Sequence, residues 1–335
     1  MRRFCLISAL AIATAFLGFA QDGPYKILKT AKVGGAGGFD YVYADSAGRR
    51  LYIPRTGTGA RISVFDLDTL EPAGEISNAN ARGAAVDPKS GHGFGSSKPV
   101  AMWDSKTLAP IKTIDVEGGP DGILFDPFNN RIWIFSHRAP NATVINAADG
   151  SIAGTVDLGG APEQAASDGK GHLYVDIEDK DKIAVVDAKT LTVTAQYDLA
   201  SKGGTCAGLA MDVKNHILFA TCREPQNMVI LDANDGKVIT TLPIGRGTDG
   251  AVFNPASMEA FSSQGDGTLT IVKEKSPTSF EVEQTLQTKV SAKTLTLDAK
   301  TGHILLIAAD FGPAPAGERR GPMLPDSFSI LLVGK

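Results

Sequence analysis

The residues with which this 335-residue chain could do chemistry are five histidines, three cysteines and a scatter of ionisable side chains. His92, His172, His216 and His303 each follow an aspartate by four or five residues, at Asp87, Asp168, Asp212 and Asp298. A metal ion needs ligands converging at about 2 Å from it, and four equivalent positions of a repeat stay apart, so these histidines read as turn residues. His137 alone falls outside the pattern. The chain has no CxxCH, HExxH or GxSxG motif, and Ser262 and Ser263 have no base that the sequence can place beside them. No catalytic residue, metal or cofactor is therefore assigned. A more promising set is Asp40, Arg82, Asp121, Glu163, Ala207, Asp249 and Lys293, of which all but Ala207 can ionise.

Residues so distant in sequence meet only if a repetitive fold brings them together. Each lies five residues before an acid or amide, at Asp45, Asp87, Asp126, Asp168, Asp212, Asn254 and Asp298, and these markers are separated by 42, 39, 42, 44, 42 and 44 residues. Seven copies of one unit thus fill the chain. Within a unit the apolar runs are short and strand-like, as in "GILF", "RIWIF", "ATVIN" and "SIAGTV", and Asp-Pro, Asn-Asn and Asp-Gly pairs supply the turns. Four-stranded units cannot bury both faces alone, and stacking around a channel solves that. The expected fold is all-β, a seven-bladed β-propeller of four-stranded antiparallel blades. Residues 25–33 form a lone strand before the first unit, while the seventh ends at "FSILLVGK" without a fourth strand, so the N-terminal strand is expected to close the ring.

Several stretches look familiar at this point: "RLYIPR" (50–55), "HLYVDI" (172–177), "IAVVDAKTLTV" (183–193) and "DPKSG" (87–91). They resemble the bacterial YVTN-type (YncE-like) repeat, in which a glycine-rich lead-in precedes "VAVSPDG", "RLYVAN" and "VSVIDTAT", although the literal YVTN tetrapeptide is absent. The resemblance covers nearly the whole chain after residue 20. It implies an extracytoplasmic seven-bladed propeller in a family mostly without assigned activity, whose relatives include lactonases and quinone or copper proteins; it says little about function.

In such a ring the six ionisable positions circle the channel mouth. Loops between second and third strands open on the same face and add Arg55, His137, Arg138, Asp176, Glu178, Arg223 and Asp310. The expected ligand-binding set is Asp40, Arg82, Asp121, Glu163, Asp249, Lys293, His137, Arg138, Arg223 and Asp310, a polar concave mouth of the kind that takes a small molecule or a protein partner. The same charges could instead form a solvated rim of mutual ion pairs. The loop 309–327 is far longer than its counterparts and reads as a lid, a partner-binding arm or a plain insertion. Two functions stay open: a binding scaffold, and a lactonase-like hydrolase whose mouth carboxylates act as general base or hold a divalent cation. Arg82 and Lys293 in the same ring weigh against tight cation binding by Asp40, Asp121, Glu163 and Asp249.

Residues 1–20 have the order of an export signal, two arginines, an apolar run and small residues before Ala20, so a cleaved leader and a single domain over 21–335 are expected, in the periplasm or outside the cell. Without Arg2 and Arg3 the balance is 31 basic against 37 acidic residues, net −6. That surface offers no footprint for nucleic acid, and a monomer without membrane contact is expected. Cys206 and Cys222 then remain, and export favours a disulfide between them. Opposed hairpin residues have constant sums, and this pair puts the turn centre at Lys214.

Overall fold

A computed structural model describes residues 23–139, 141–318 and 320–335. The expected leader, 1–20, lies outside these residues. The chain forms seven antiparallel sheets in a ring, a seven-bladed β-propeller with almost no helix. Blades 2 to 6 are each a simple four-stranded meander, as in blade 3 with Pro120–Asp126, Arg131–Ser136, Asn141–Asn146 and Ile152–Asp157. In blade 1 the innermost strand is broken into Gly38–Phe39 and Tyr43–Asp45, both paired with Arg50–Thr56.

Blade 7 closes the ring as its missing strand requires. Leu295–Asp298, His303–Ala308 and Ser329–Gly334 come from the C-terminal end, and Lys26–Lys32 adds the fourth, outermost strand. It runs antiparallel from Lys26 opposite Gly334 to Lys32 opposite Ser329.

Burial peaks in the second and third strands and is lowest in the outer one. Second strands such as Arg131–Ser136 are buried from Ile132 onward, because neighbouring blades cover both faces, whereas the outer strand Pro110–Ile114 buries only Ile114. Blades meet through large side chains, with Tyr52 and Trp103 at 5.7 Å and Phe219 stacked on Phe253 at 5.3 Å. Each such fully buried side chain contributes roughly 1.5–3 kcal/mol. The recurring "DTL" and "KTL" turns also have a physical reason. Asp66, Asp104 and Asp187 each accept the backbone N–H of the threonine three residues on, at 2.8, 2.7 and 2.7 Å. The following Leu70, Leu108 and Leu191 take positive φ, at 61°, 63° and 57°.

Cys206 and Cys222 are joined, with directly opposed backbones. The turn differs from expectation, however. From Gly208–Thr221 to Asp212–Ile217 the pairs centre between Lys214 and Asn215, not on Lys214, and a bulge at Ala207 restores the cysteines to opposition.

Candidate functional site: the channel mouth

The bulge at Ala207 is one of a set. Pairing slips by one residue at Asp121–Gly122 in blade 3, at Glu163–Gln164 in blade 4 and at Asp249 in blade 6. Bulges re-aim side chains, and here the surplus residue falls where each innermost strand leaves the mouth. That is how the repeat's ionisable position reaches the channel.

These side chains join into one belt that draws on all seven blades. Arg82 pairs with Asp40 at 2.9 Å and with Asp121 at 3.8 Å. Lys293 holds the other Asp40 oxygen at 3.2 Å and also pairs with Asp249, which pairs in turn with Arg223. Arg223 reaches Glu178, and His137 sits between Glu178 at 3.8 Å and Glu163 at 3.3 Å. The Tyr41 hydroxyl, from blade 1, donates to Glu163 of blade 4 at 3.0 Å and so spans the mouth. Behind it lies a channel cavity of about 250 Å³ lined by Tyr43, Phe125, Gln164, Val252 and Leu295 among others. Gln164 ties that wall together: its Oε1 accepts the N–H groups of Leu209 and Ala251 at 3.0 and 2.9 Å.

The belt sets its own protonation. Burial pushes Asp121 up to about 7, helped by the Asp40 charge and opposed by Arg82. The Glu163 carboxylate, 3.3 Å from the ring, raises His137 to about 9 despite burial. Burial would raise Glu163, but His137 and Tyr41 outweigh it and hold it down; burial and the Glu163 charge raise Glu178. Burial would lower Lys293, yet Asp249 and Asp40 keep it raised.

Of the expected site residues, Asp40, Arg82, Asp121, Glu163, Asp249, Lys293, His137 and Arg223 stand in the belt. Arg138 is exposed beside Gly119, and Asp310 is an exposed partner of Lys289 at 3.1 Å, away from the belt. Arg55 is not on the mouth surface. It is 2% exposed, donates to the carbonyls of Gly34, Gly35 and Gly37 and lies 3.8 Å over the Phe328 ring; burial, with Arg61 nearby, lowers it to about 10. Tyr41 was missed, although it adjoins Asp40 in "FDYVY". Asp40 and Asp249 are bridged by Lys293, so the four mouth carboxylates do not gather on one point.

The other candidates resolve structurally. His92, His172 and His216 bond Ala147 O, Asp168 and Asn234 locally, each in its own blade or the next. Ser262 is buried against Thr248 and Gln264, and Ser263 donates to Lys293 O at 2.7 Å. The arm 309–327 doubles back, with Gly312 N–H on Pro322 O and Leu324 N–H on Asp310 O, both at 2.8 Å. Phe311 lies 6.4 Å from Phe39, which pins the arm to the start of blade 1.

Beside the belt, over blades 1 to 3, lies a mouth cavity of about 300 Å³ lined by Phe39, Asp40, Asn80, Arg82, Ser97 and Lys98 among others. The Arg82 side chain is 49% exposed, so one face of its guanidinium is open to a ligand.

No family model matches the chain, and no curated protein matches it. Among solved structures it is similar to a chain of the "Crystal Structure of Mitotic Checkpoint Complex", with a TM-score of 0.73 over 91% of this chain and 96% of that one. Identity is 10%, so the likeness shows the propeller fold alone.

Proposed function

We propose that this protein is an exported binding scaffold that captures a small polar ligand bearing an anionic group at the channel mouth. The observation that carries this reading is the mouth cavity of about 300 Å³, where Arg82 and Lys98 stand beside the hydroxyl and amide groups of Ser97 and Asn80. That volume is at the lower end of small-molecule pockets, which favours a metabolite-sized occupant over a protein partner. Binding would trade water on the open guanidinium face for charge-assisted hydrogen bonds. The export part rests on the sequence of residues 1–20, the resemblance to YVTN-type repeats and the Cys206–Cys222 bridge, a bond that persists in oxidising compartments. No helix among the described residues is long and apolar enough to cross a membrane.

Calorimetric titration of the purified protein with a panel of hydroxy acids and lactones tests it. At least one hydroxy acid is expected to bind, and Arg82→Gln should weaken that binding at least about tenfold, the loss of one charge-assisted contact. Silence across the panel, or affinity unchanged by the substitution, defeats the reading.

One observation favours a second reading, the lactonase-like hydrolase. Asp121 has an Oδ1 without a hydrogen-bond partner among the described residues, and its carboxyl titrates at about 7, where a general base works best. Turnover of a lactone that rises with pH through neutrality and disappears in Asp121→Asn would move the assignment to the enzyme.

A further inference from the structure

The belt is uneven. Asp40 and Asp249 meet arginine or lysine on both sides, whereas Glu163 of blade 4 meets only His137 and Tyr41. There, one nitrogen of His137 and one carboxylate oxygen each from Glu163 and Glu178 all lie within 4.8 Å of one another. Bonds of about 2.0–2.2 Å in a tetrahedral site place donors about 3.3–3.6 Å apart, so side-chain rotation that closes the group by about 1 Å brings all three to one point.

A separate observation concerns Asp176. Pro162 pairs with Ile177 and Ala165 with Val175, which leaves Asp176 directly across from the Glu163–Gln164 bulge and two residues before Glu178. It is 0% exposed, and neither of its oxygens has a hydrogen-bond partner among the described residues. A buried carboxyl group with nothing to bond is costly, and such groups in folded proteins point to an ion or water that completes them.

We propose that His137, Glu163 and Glu178 bind one divalent transition-metal ion at the mouth, with Asp176 supplying the carboxylate behind them. The donor set decides the class of ion. An imidazole with carboxylates suits Zn²⁺ or Mn²⁺, whereas Ca²⁺ takes six to eight oxygen ligands and Mg²⁺ keeps most of its water. Glu163 and Glu178 balance the dication, and Arg223, shared between Glu178 and Asp249, stays in its place as a partner that orients Glu178. The site lies across the mouth from the cavity over blades 1 to 3, and it stands whether or not that cavity takes an organic ligand.

The test uses the full mature chain, stripped with EDTA and dialysed, then titrated calorimetrically with MnCl₂, ZnCl₂ and CaCl₂ in turn. One Mn²⁺ or Zn²⁺ per chain is expected, with Ca²⁺ much weaker. Glu178→Gln and His137→Gln should abolish the heat, and Asp176→Asn should weaken it about 10- to 100-fold, the usual effect of a carboxylate behind a ligand. Asp310→Asn should leave it unchanged. Because a substitution in the belt can disturb folding, NMR of the unaltered protein supplies a second measurement. Substoichiometric Mn²⁺ should broaden the His137 imidazole signals while those of His92, His172, His216 and His303 stay sharp. Absence of 1:1 binding at millimolar metal, or broadening centred on any of the other four histidines, overturns the proposal.

Discussion

Tyr25 and Gln284 are bonded to each other twice, the Tyr25 N–H donating to Oε1 at 2.9 Å and the Gln284 amide donating back to the Tyr25 carbonyl at 2.8 Å. The pair fastens the incoming N-terminal strand to the outer strand of blade 6, one blade away from the sheet it completes. The Tyr25 hydroxyl bonds Glu259, which Lys335 also holds at 2.8 Å, so both ends of the described chain meet at one carboxylate.

Ring closure therefore has two separable parts, a latch and a strand. Gln284→Ala should lower stability by about 1–3 kcal/mol, since it leaves a buried backbone N–H and C=O unpaired. Deleting residues 25–33 should do more, baring the Ser329–Gly334 edge and causing aggregation. Size-exclusion chromatography with thermal melts checks both. A monomeric deletion variant with an unchanged melt would refute closure by this strand.

How far the site could be read from sequence differs from residue to residue. The markers from Asp45 to Asp298 were legible because each ends an innermost strand at a turn with fixed chemistry. The mouth position five residues earlier was legible for the same reason, as a repeat of place. The bulges that aim Asp121, Glu163 and Asp249 were not, because no residue type marks them: the surplus residue is Ala207 in blade 5 and Asp249 in blade 6. Arg55 looked like a rim charge, and what buries it, the ring of Phe328 and the carbonyls of the 34–37 segment, is brought together only by closure. Asp176 could not be told from the rim acids near it, since Leu173–Ile177 is buried at every position and no alternation sets it apart.

Acid stability should report on the opposite face of the ring. There Arg49 of blade 1 pairs with Asp298 of blade 7 at 2.9 Å, and the Asp298 side chain is 3% exposed. Burial alone would raise Asp298, but Arg49 and Thr301 outweigh it and bring it to about 2. A depressed carboxyl stabilises the fold above its unfolded value, about 3.9, and that contribution is lost as pH falls from there through about 2. It amounts to about 2.6 kcal/mol at roughly 1.4 kcal/mol per unit. Asp298→Asn should thus be less stable than the parent by about that much at pH 7 and nearly equal to it near pH 2. Urea midpoints at the two pH values decide; the same gap at both would show that Asp298 acts through packing or hydrogen bonds rather than through its charge.

The disulfide offers the sharpest comparison between register and chemistry. Cys206 and Cys222 are 2% and 0% exposed, sixteen residues apart, and opposed only because the bulge at Ala207 offsets the hairpin's half-residue shift. Were Ala207 instead paired with Cys222 in an unbulged strand, Cys206 would fall one residue out of register and the two side chains would turn to opposite faces of the sheet. The bond closes a short loop, so it should stabilise by about 3 kcal/mol on the chain-entropy account. Cys206→Ser with Cys222→Ser should lower the unfolding free energy by about 2–3 kcal/mol without altering the fold, because both sites lie within the blade 4 and 5 core and change volume little. Deleting Ala207 alone should leave the bond intact, because Ala207 has no partner across the hairpin and its removal keeps Cys206 opposite Cys222. Mass spectrometry of the denatured, non-reduced chain of residues 21–335 should find no alkylatable thiol, and two after reduction. Two free thiols before reduction would rule the bridge out, and a deletion variant with free thiols would show that Ala207 is needed for more than its place in the register.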